Sequence, residues 1–323
     1  MRIKVRKICE KIFGHYSKYE KKDFLFIYLM ILLPVVNFAI FWLYVNISSI
    51  FLAFQNRVGE FTFDNFKVVY NAFIHMDQYG INLKDSLGRT LIVWIIGLVA
   101  FPISIITTYV LFRRIAGHYV YRLCYIIPSL MGAVIWSAIV RYMMGYDGPI
   151  IEWLNSIGVE LPRAANRNGL LGAKETAFPA LCALQFVMAL VGNNAVLTGA
   201  FSRVPDELYE SASLDGAGFW RTCFQIVIPC VGPTIATLLT FSLCGIFTAD
   251  NGVFLYSNGT GQPEMSTIGF QLYNLQLKIA EGGGEETAYG YPAALGLILT
   301  IMTLPIVLIG RRVIDKTIGS VEI

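Results

Sequence analysis

Six stretches of this 323-residue chain, at roughly 24–45, 90–112, 122–143, 177–200, 226–248 and 292–310, are predominantly apolar and nearly free of charge. A run of about 20 such residues matches the thickness of a hydrocarbon core. In lipid each backbone N–H and C=O must find its partner within the segment or in a closed sheet, so runs of this length read as transmembrane helices. The composition agrees: 55% of residues are hydrophobic and 15% charged, against about 25% charged in ordinary soluble domains. The expected fold class is therefore an all-α integral membrane protein of about six transmembrane helices.

Lys and Arg near span ends set orientation, whereas Asp and Glu count for little. The basic tail at 1–23, the turn holding Arg113, Arg114 and Arg122, and the end with Arg311, Arg312 and Lys316 are expected on the cytoplasmic side. An even number of spans puts both termini there. The apolar run after the basic tail is too long for a signal-peptide core and lacks a small-residue cleavage site, which indicates an uncleaved anchor. The domain division is then a cytoplasmic tail 1–23, a membrane domain 24–316 and a cytoplasmic tail 317–323. Connections 46–89, 144–176 and 249–291 face outward, and 202–224 faces the cytoplasm.

Several chemistries find no support. His15, His75 and His118 lie in separate segments without partners at ligand spacing, so no metal site is expected. Gly169–Thr176, "GLLGAKET", departs from phosphate-loop spacing and sits in an outer connection. No catalytic nucleophile and base stand together, and the net charge of +3 resides mostly in the N-terminal tail, where it suits anionic lipid better than nucleic acid. The six cysteines all fall in spans or cytoplasmic segments, so no disulfide framework is implied. Span centres lack the ionisable residues that self-powered carriers use, so if the chain transports anything against a gradient, the energy is expected from a partner.

The cytoplasmic connection 202–224 is the exception to the bland pattern, because it carries Asp206, Glu207, Glu210 and Asp215. Pro205 suits a helix start, with Ser202 or the backbone before it as cap. Asp206 and Glu207 then meet the positive end of the helix dipole, worth about 0.3–1 kcal/mol when exposed. Gly216 and Gly218 can end the helix after two to three turns through a left-handed residue. Leu208, Ala212 and Asp215 share one face, and Glu210 and Leu214 another. These residues make a small stiff helix across the cytoplasmic surface between two spans, which also fits a plain solvated linker.

The passage "VPDELYESASLDGAGFWRTCFQIVIPCVGP" resembles the EAA loop of binding-protein-dependent ABC importer permeases. Glu210, Ser211 and Ala212 stand for Glu-Ala-Ala, and Asp215, Gly216 and Ala217 for Asp-Gly-Ala, with Ser211 the one small-for-small departure. "FTFDNFKVVYNAF", "LKDSLGRTLIVW" and "YRLCYIIPSLMGAVIWSAIVRYMMGYDGPIIEWLNSIGV" are similar to the carbohydrate branch, of the maltose and glycerol-phosphate permease type. "LYSNGTGQPEMSTIGFQLY" resembles that branch more loosely. The resemblance implies that 202–224 holds a coupling helix docked on a cytoplasmic ATPase dimer, which binds ATP and Mg and leaves this chain without a cofactor. It implies further partners as well: a second permease subunit that is a distinct homologue, an extracellular or periplasmic solute-binding protein, and a carbohydrate. The expected location is a bacterial-type inner membrane.

Mid-span polar groups are candidates for the substrate pathway: Gln185, Asn193 and Asn194 in the fourth span, and Ser242 and Thr248 in the fifth, with Phe247 as a sugar-stacking ring. The same amides and hydroxyls serve equally well as interhelical hydrogen-bonding groups. Rival classes are a permease for a non-sugar solute and a self-contained secondary carrier.

Overall fold

Long apolar runs leave the backbone no partner but itself, and helices dominate the computed structural model, which describes residues 21–56, 58–74, 82–113, 118–257, 263–281 and 289–318. The chain begins as α1 (Lys21–Asn37), passes through a π-helical segment (Phe38–Tyr44) and continues as α2 (Val45–Ala53). An isolated bridge between Gln55 and Phe61 leads to α3 (Asp64–Ile74). The next helix, α4 (Leu83–Phe112), has 30 residues and extends about 45 Å at 1.5 Å per residue. Asn82 caps it by accepting from the Asp85 N–H at 3.2 Å. Then come α5 (His118–Leu130), α6 (Ala133–Met143), α7 (Pro149–Ser156) and α8 (Arg163–Asn168). Next, α9 (Lys174–Gly192) runs into α10 (Asn194–Phe201), and α11 (Asp206–Leu214) follows as a separate short helix.

The remainder comprises α12 (Phe219–Thr222), a π segment (Cys223–Val227), α13 (Ile228–Cys230), α14 (Gly232–Cys244), α15 (Val253–Tyr256), α16 (Ile268–Glu281) and α17 (Gly290–Ile318).

Among the described residues, four helical segments are long and apolar enough to cross a bilayer unbroken: Phe26–Ala53, Leu83–Phe112, Lys174–Phe201 and Gly290–Thr317. The expected third and fifth spans are bent pairs instead, turning by 100° between Tyr119–Pro128 and Ala133–Met143, and by 70° between Phe219–Cys230 and Gly232–Cys244. Backbone chemistry explains both breaks. Pro128 lies inside α5, and Gly132 takes φ −59°, ψ 144° to start a new helix. In the fifth, Val231 leaves the helical region at ψ 5° just before Pro233, which supplies no N–H to the preceding turn. Span ends also move: the first runs on to Ala53 rather than 45, the second begins at Leu83 rather than 90, the fifth runs from Phe219 to Cys244 rather than from 226 to 248, and the last reaches Thr317 rather than 310. The expected outer connections hold helices of their own, α3, α7, α8 and α16.

Packing centres on α4, which lies against α3, α9, α10 and α16, while α17 packs on α2, α3 and α14. One apolar cluster gathers Val93 of α4 with Leu181 and Leu184 of α9, Met144, Met265 and Phe270. A second joins α2, α3, α16 and α17 through Ala53, Val69, Leu275 and Leu295. A third surrounds the other end of α4, where Tyr109 meets Leu197, Phe201, Cys223 and Val227. Close approach at the start of α17 depends on Gly290, because a Cβ there would lie 2.8 Å from the Gln55 carbonyl oxygen. The Asn65 amide crosses the same spot, donating to the Ala53 and Gln55 carbonyls at 3.1 and 2.7 Å and so closing the end of α2. The first span, Phe26–Ala53, turns its apolar side chains outward, as a segment solvated by lipid tails does.

Candidate functional site

The acidic connection folds as a short helix pinned by one face. Its start differs from expectation: Pro205 is the N-cap residue, with φ −59°, ψ 136°, and no side chain caps the helix. Ser202 still belongs to the end of α10, where its N–H donates to Thr198 and its hydroxyl to the Gly199 carbonyl. Asp206 and Glu207 occupy the first turn, where negative charge opposes the helix dipole.

The C-terminal end follows from Gly216. Its φ of +69° is the left-handed region that glycine enters without a Cβ penalty. With that turn made, the Gly216 N–H reaches the Ser213 carbonyl at 3.1 Å and the Ala217 N–H reaches Ala212 at 2.8 Å. This pair of bonds is a Schellman stop, which satisfies carbonyls that α11 would otherwise leave open.

The two faces of α11 have different tasks. Ala212 is buried, and Leu208 and Tyr209 pack with Tyr109, Phe201, Val204, Cys223 and Val227. The Arg113 guanidinium carbon sits 4.8 Å from the centre of the Tyr209 ring, a cation–π contact. Burial first, then the neighbouring Tyr109, push the Tyr209 phenol up to about 12, with Arg113 pulling the other way, so the hydroxyl stays neutral. The outer face carries Glu207, Glu210, Ser211, Ser213, Leu214 and Asp215, all exposed, with Leu214 at 89%. None of its carboxylates forms an ion pair among the described residues. α11 is thus anchored by one face, with its acidic groups and Leu214 left exposed on the other.

The six pathway candidates are not gathered in one place. Asn194 is buried and its amide oxygen accepts from the Thr198 hydroxyl at 3.1 Å. Trp94 Nε1 donates to the Ser242 hydroxyl at 3.1 Å, a contact that ties α4 to α14. Phe247 is 2% exposed and packs in the cluster that also holds Leu275 and Leu295. Thr248 lies beyond the end of α14 in an exposed turn, Gln185 is half-buried on α9, and Asn193 is the hinge residue between α9 and α10. A cavity of about 220 Å³ lies elsewhere, lined by Arg141, Asn168, Leu171, Tyr256 and Ser257 among others. None of the six borders it.

Among the described residues, no group of three or more His, Cys, Asp or Glu side chains is arranged to hold a metal ion. His15, His75 and the side chain of His118 lie outside the described residues, as does most of the "GGGEETAYG" run. The contacts of Trp94, Arg113 and Tyr209 were not legible in the sequence, because a ring or guanidinium carries no pattern until its partner from another helix is known.

No protein-family model matches the chain. The diacetylchitobiose uptake system permease protein NgcF of Streptomyces coelicolor is 31% identical over 202 residues, which cover 59% of this chain and 52% of that protein, so the match spans about half the relative's length. The multiple sugar-binding transport system permease protein MsmF of Streptococcus mutans is 22% identical over 308 residues, covering 92% of this chain and 93% of that one. A bacterial alginate ABC transporter, crystallised in complex with an alginate pentasaccharide-bound periplasmic protein, contains a chain of the same fold. That likeness has a TM-score of 0.70 and 24% identity, and covers 93% of this chain and 96% of that one. The chain thus has apolar helices long enough to cross a membrane, shares the fold of a chain of that transporter, and is similar in sequence to a sugar-transport permease along nearly its full length.

Proposed function

We propose that this chain is the transmembrane subunit of an ATP-driven importer for a carbohydrate, coupled to a separate ATPase through α11. The observation that carries the coupling role is the construction of α11: buried through Leu208, Tyr209 and Ala212, stopped sharply at Gly216, and bare on the face that holds Glu210 and Leu214. Sugar uptake by the related permeases supports the substrate class.

In this proposal α11 faces the cytoplasm, both termini are cytoplasmic, and the segments around α7, α8, α15 and α16 face the outside of a bacterial inner membrane. A second, distinct permease chain completes the pathway, and a solute-binding protein delivers sugar to the outer segments. ATP and Mg reside on an ATPase dimer. Glu210 offers its carboxylate to basic groups in the ATPase groove, with Asp215 near the helix end and Gly216 making the sharp exit; Ala212, which the resemblance would set against the ATPase, is instead buried against the spans and helps to anchor the helix. ATP-driven closure of the ATPase pair moves α11 and rocks the spans between inward-open and outward-open states, with no covalent chemistry in this chain.

The experiment reconstitutes the chain with its second permease, ATPase and solute-binding protein in proteoliposomes, and measures ATP hydrolysis across a panel of loaded ligands. Stimulation by oligosaccharide-loaded binding protein is expected. Stimulation by amino acids or metal ions, and by no sugar, would contradict the carbohydrate assignment.

A further inference from the structure

We infer that α4 is the element that carries motion of α11 to the opposite end of the molecule, with Arg113 and Tyr209 as the positioning pair that grips it. The inference rests on the coupling reading of α11 and goes further, because it assigns the receiving end to a helix that is not α11's neighbour in sequence.

The last turns of α4 present Tyr109 and Arg113 at i, i+4 spacing, hence on one face. Arg113 covers the Tyr209 ring at 4.8 Å. Tyr109 is fully buried, and its ring contacts Phe201 of α10 at 5.7 Å and Phe219 of α12 at 5.1 Å. One face of α4 therefore touches the helix before α11, α11 itself and the helix after it. The bare outer face of α11 takes no part in this grip, which leaves it free for the ATPase.

The same helix holds the far end. Arg89 donates to the Pro263 carbonyl at 2.6 Å, and the Thr90 hydroxyl accepts from the Ile268 N–H at 2.9 Å. Arg89 and Arg113 are separated by about 36 Å of helix at 1.5 Å per residue. Between them Trp94 reaches Ser242 on α14. Pro102 would weaken an isolated helix, but α4 runs through it unbroken, with Phe101 and Ile105 buried and Ser104 bonded to the Leu190 carbonyl of α9 at 2.9 Å. Displacement of Tyr209 thus acts on a continuous, splinted rod that is fastened to the segment 263–268 at its other end.

The test compares Tyr209→Leu and Arg113→Gln with Tyr209→Phe and Arg113→Lys in the complete transporter, reading subunit assembly, ATP hydrolysis and sugar taken up per ATP. The first two variants remove the ring or the cation; the second two keep the contact. The expected result is retained assembly and ATP hydrolysis in all four, with uptake per ATP reduced by between about 2-fold and 30-fold in Tyr209→Leu and Arg113→Gln only, the span of effects seen when mutations alter coupling between sites. Unchanged uptake per ATP in both, or equal damage from the conservative pair, overturns the inference. Loss of assembly in Tyr209→Leu alongside normal coupling in Arg113→Gln overturns it as well, since the ring would then be only a packing group. A wild-type transporter with no ATP-dependent sugar uptake would defeat the importer proposal itself, which separates the two failures.

Discussion

Gly216 carries more consequence than any other residue of the acidic connection. An added Cβ there meets nothing within 4 Å, so the cost of Gly216→Ala is conformational and not steric. Forcing alanine to φ +69° should destabilise the end of α11 by roughly 1 kcal/mol, with no change in the packing of the spans. Hydrogen exchange at the Ala217 amide, whose bond to Ala212 depends on the turn, should rise in that variant while core helices keep their protection. The left-handed glycine was legible in the sequence because a helix stop of this type needs one residue type at one place. The cap at the other end was not: Ser202 has the chemistry of an N-cap, but α10 extends far enough to keep it, and Pro205 takes the position instead. The burial of Phe247 was likewise not legible, since an aromatic ring near a span end gains its packing partners only from the fold.

At the scale of helices, apolar length located every span but did not reveal which of them bend. Hydropathy counts side chains, whereas the breaks at Gly132 and Val231 belong to the backbone, where proline and a local turn outweigh continuous apolarity. Contacts between helices make a paired prediction. Gly290→Ala would drive a Cβ against the Gln55 carbonyl and the Asn65 amide, a rigid arrangement, and should cost about 1–3 kcal/mol as overpacking does. Gly310→Ala meets only the end of the Leu243 side chain, which can rotate away, and the gain in helix propensity of about 1 kcal/mol offsets the shift. Thermal unfolding in detergent should therefore show a lowered midpoint for Gly290→Ala and little change for Gly310→Ala. Equal losses would mean that α17 packs against α14 as tightly as against the α2–α3 turn.

For the whole molecule, the proposed function places a docking face on α11 and outward segments at the other end of α4, which Arg89 and Arg113 bracket. In the proposed function the energy arrives from a separate ATPase, with α11 as its point of entry. The direct measurement is ATP-dependent oligosaccharide uptake by proteoliposomes holding the assembled transporter, wild type against Gly216→Asp. Aspartate at a left-handed position on the exposed edge of α11 adds charge and strain to the docking surface while leaving the span contacts as they are. The account predicts uptake by the wild type and its loss in Gly216→Asp, with the variant permease still folded and inserted. Equal uptake by both would contradict coupling through α11, and sugar uptake that needs no ATP would contradict the importer assignment.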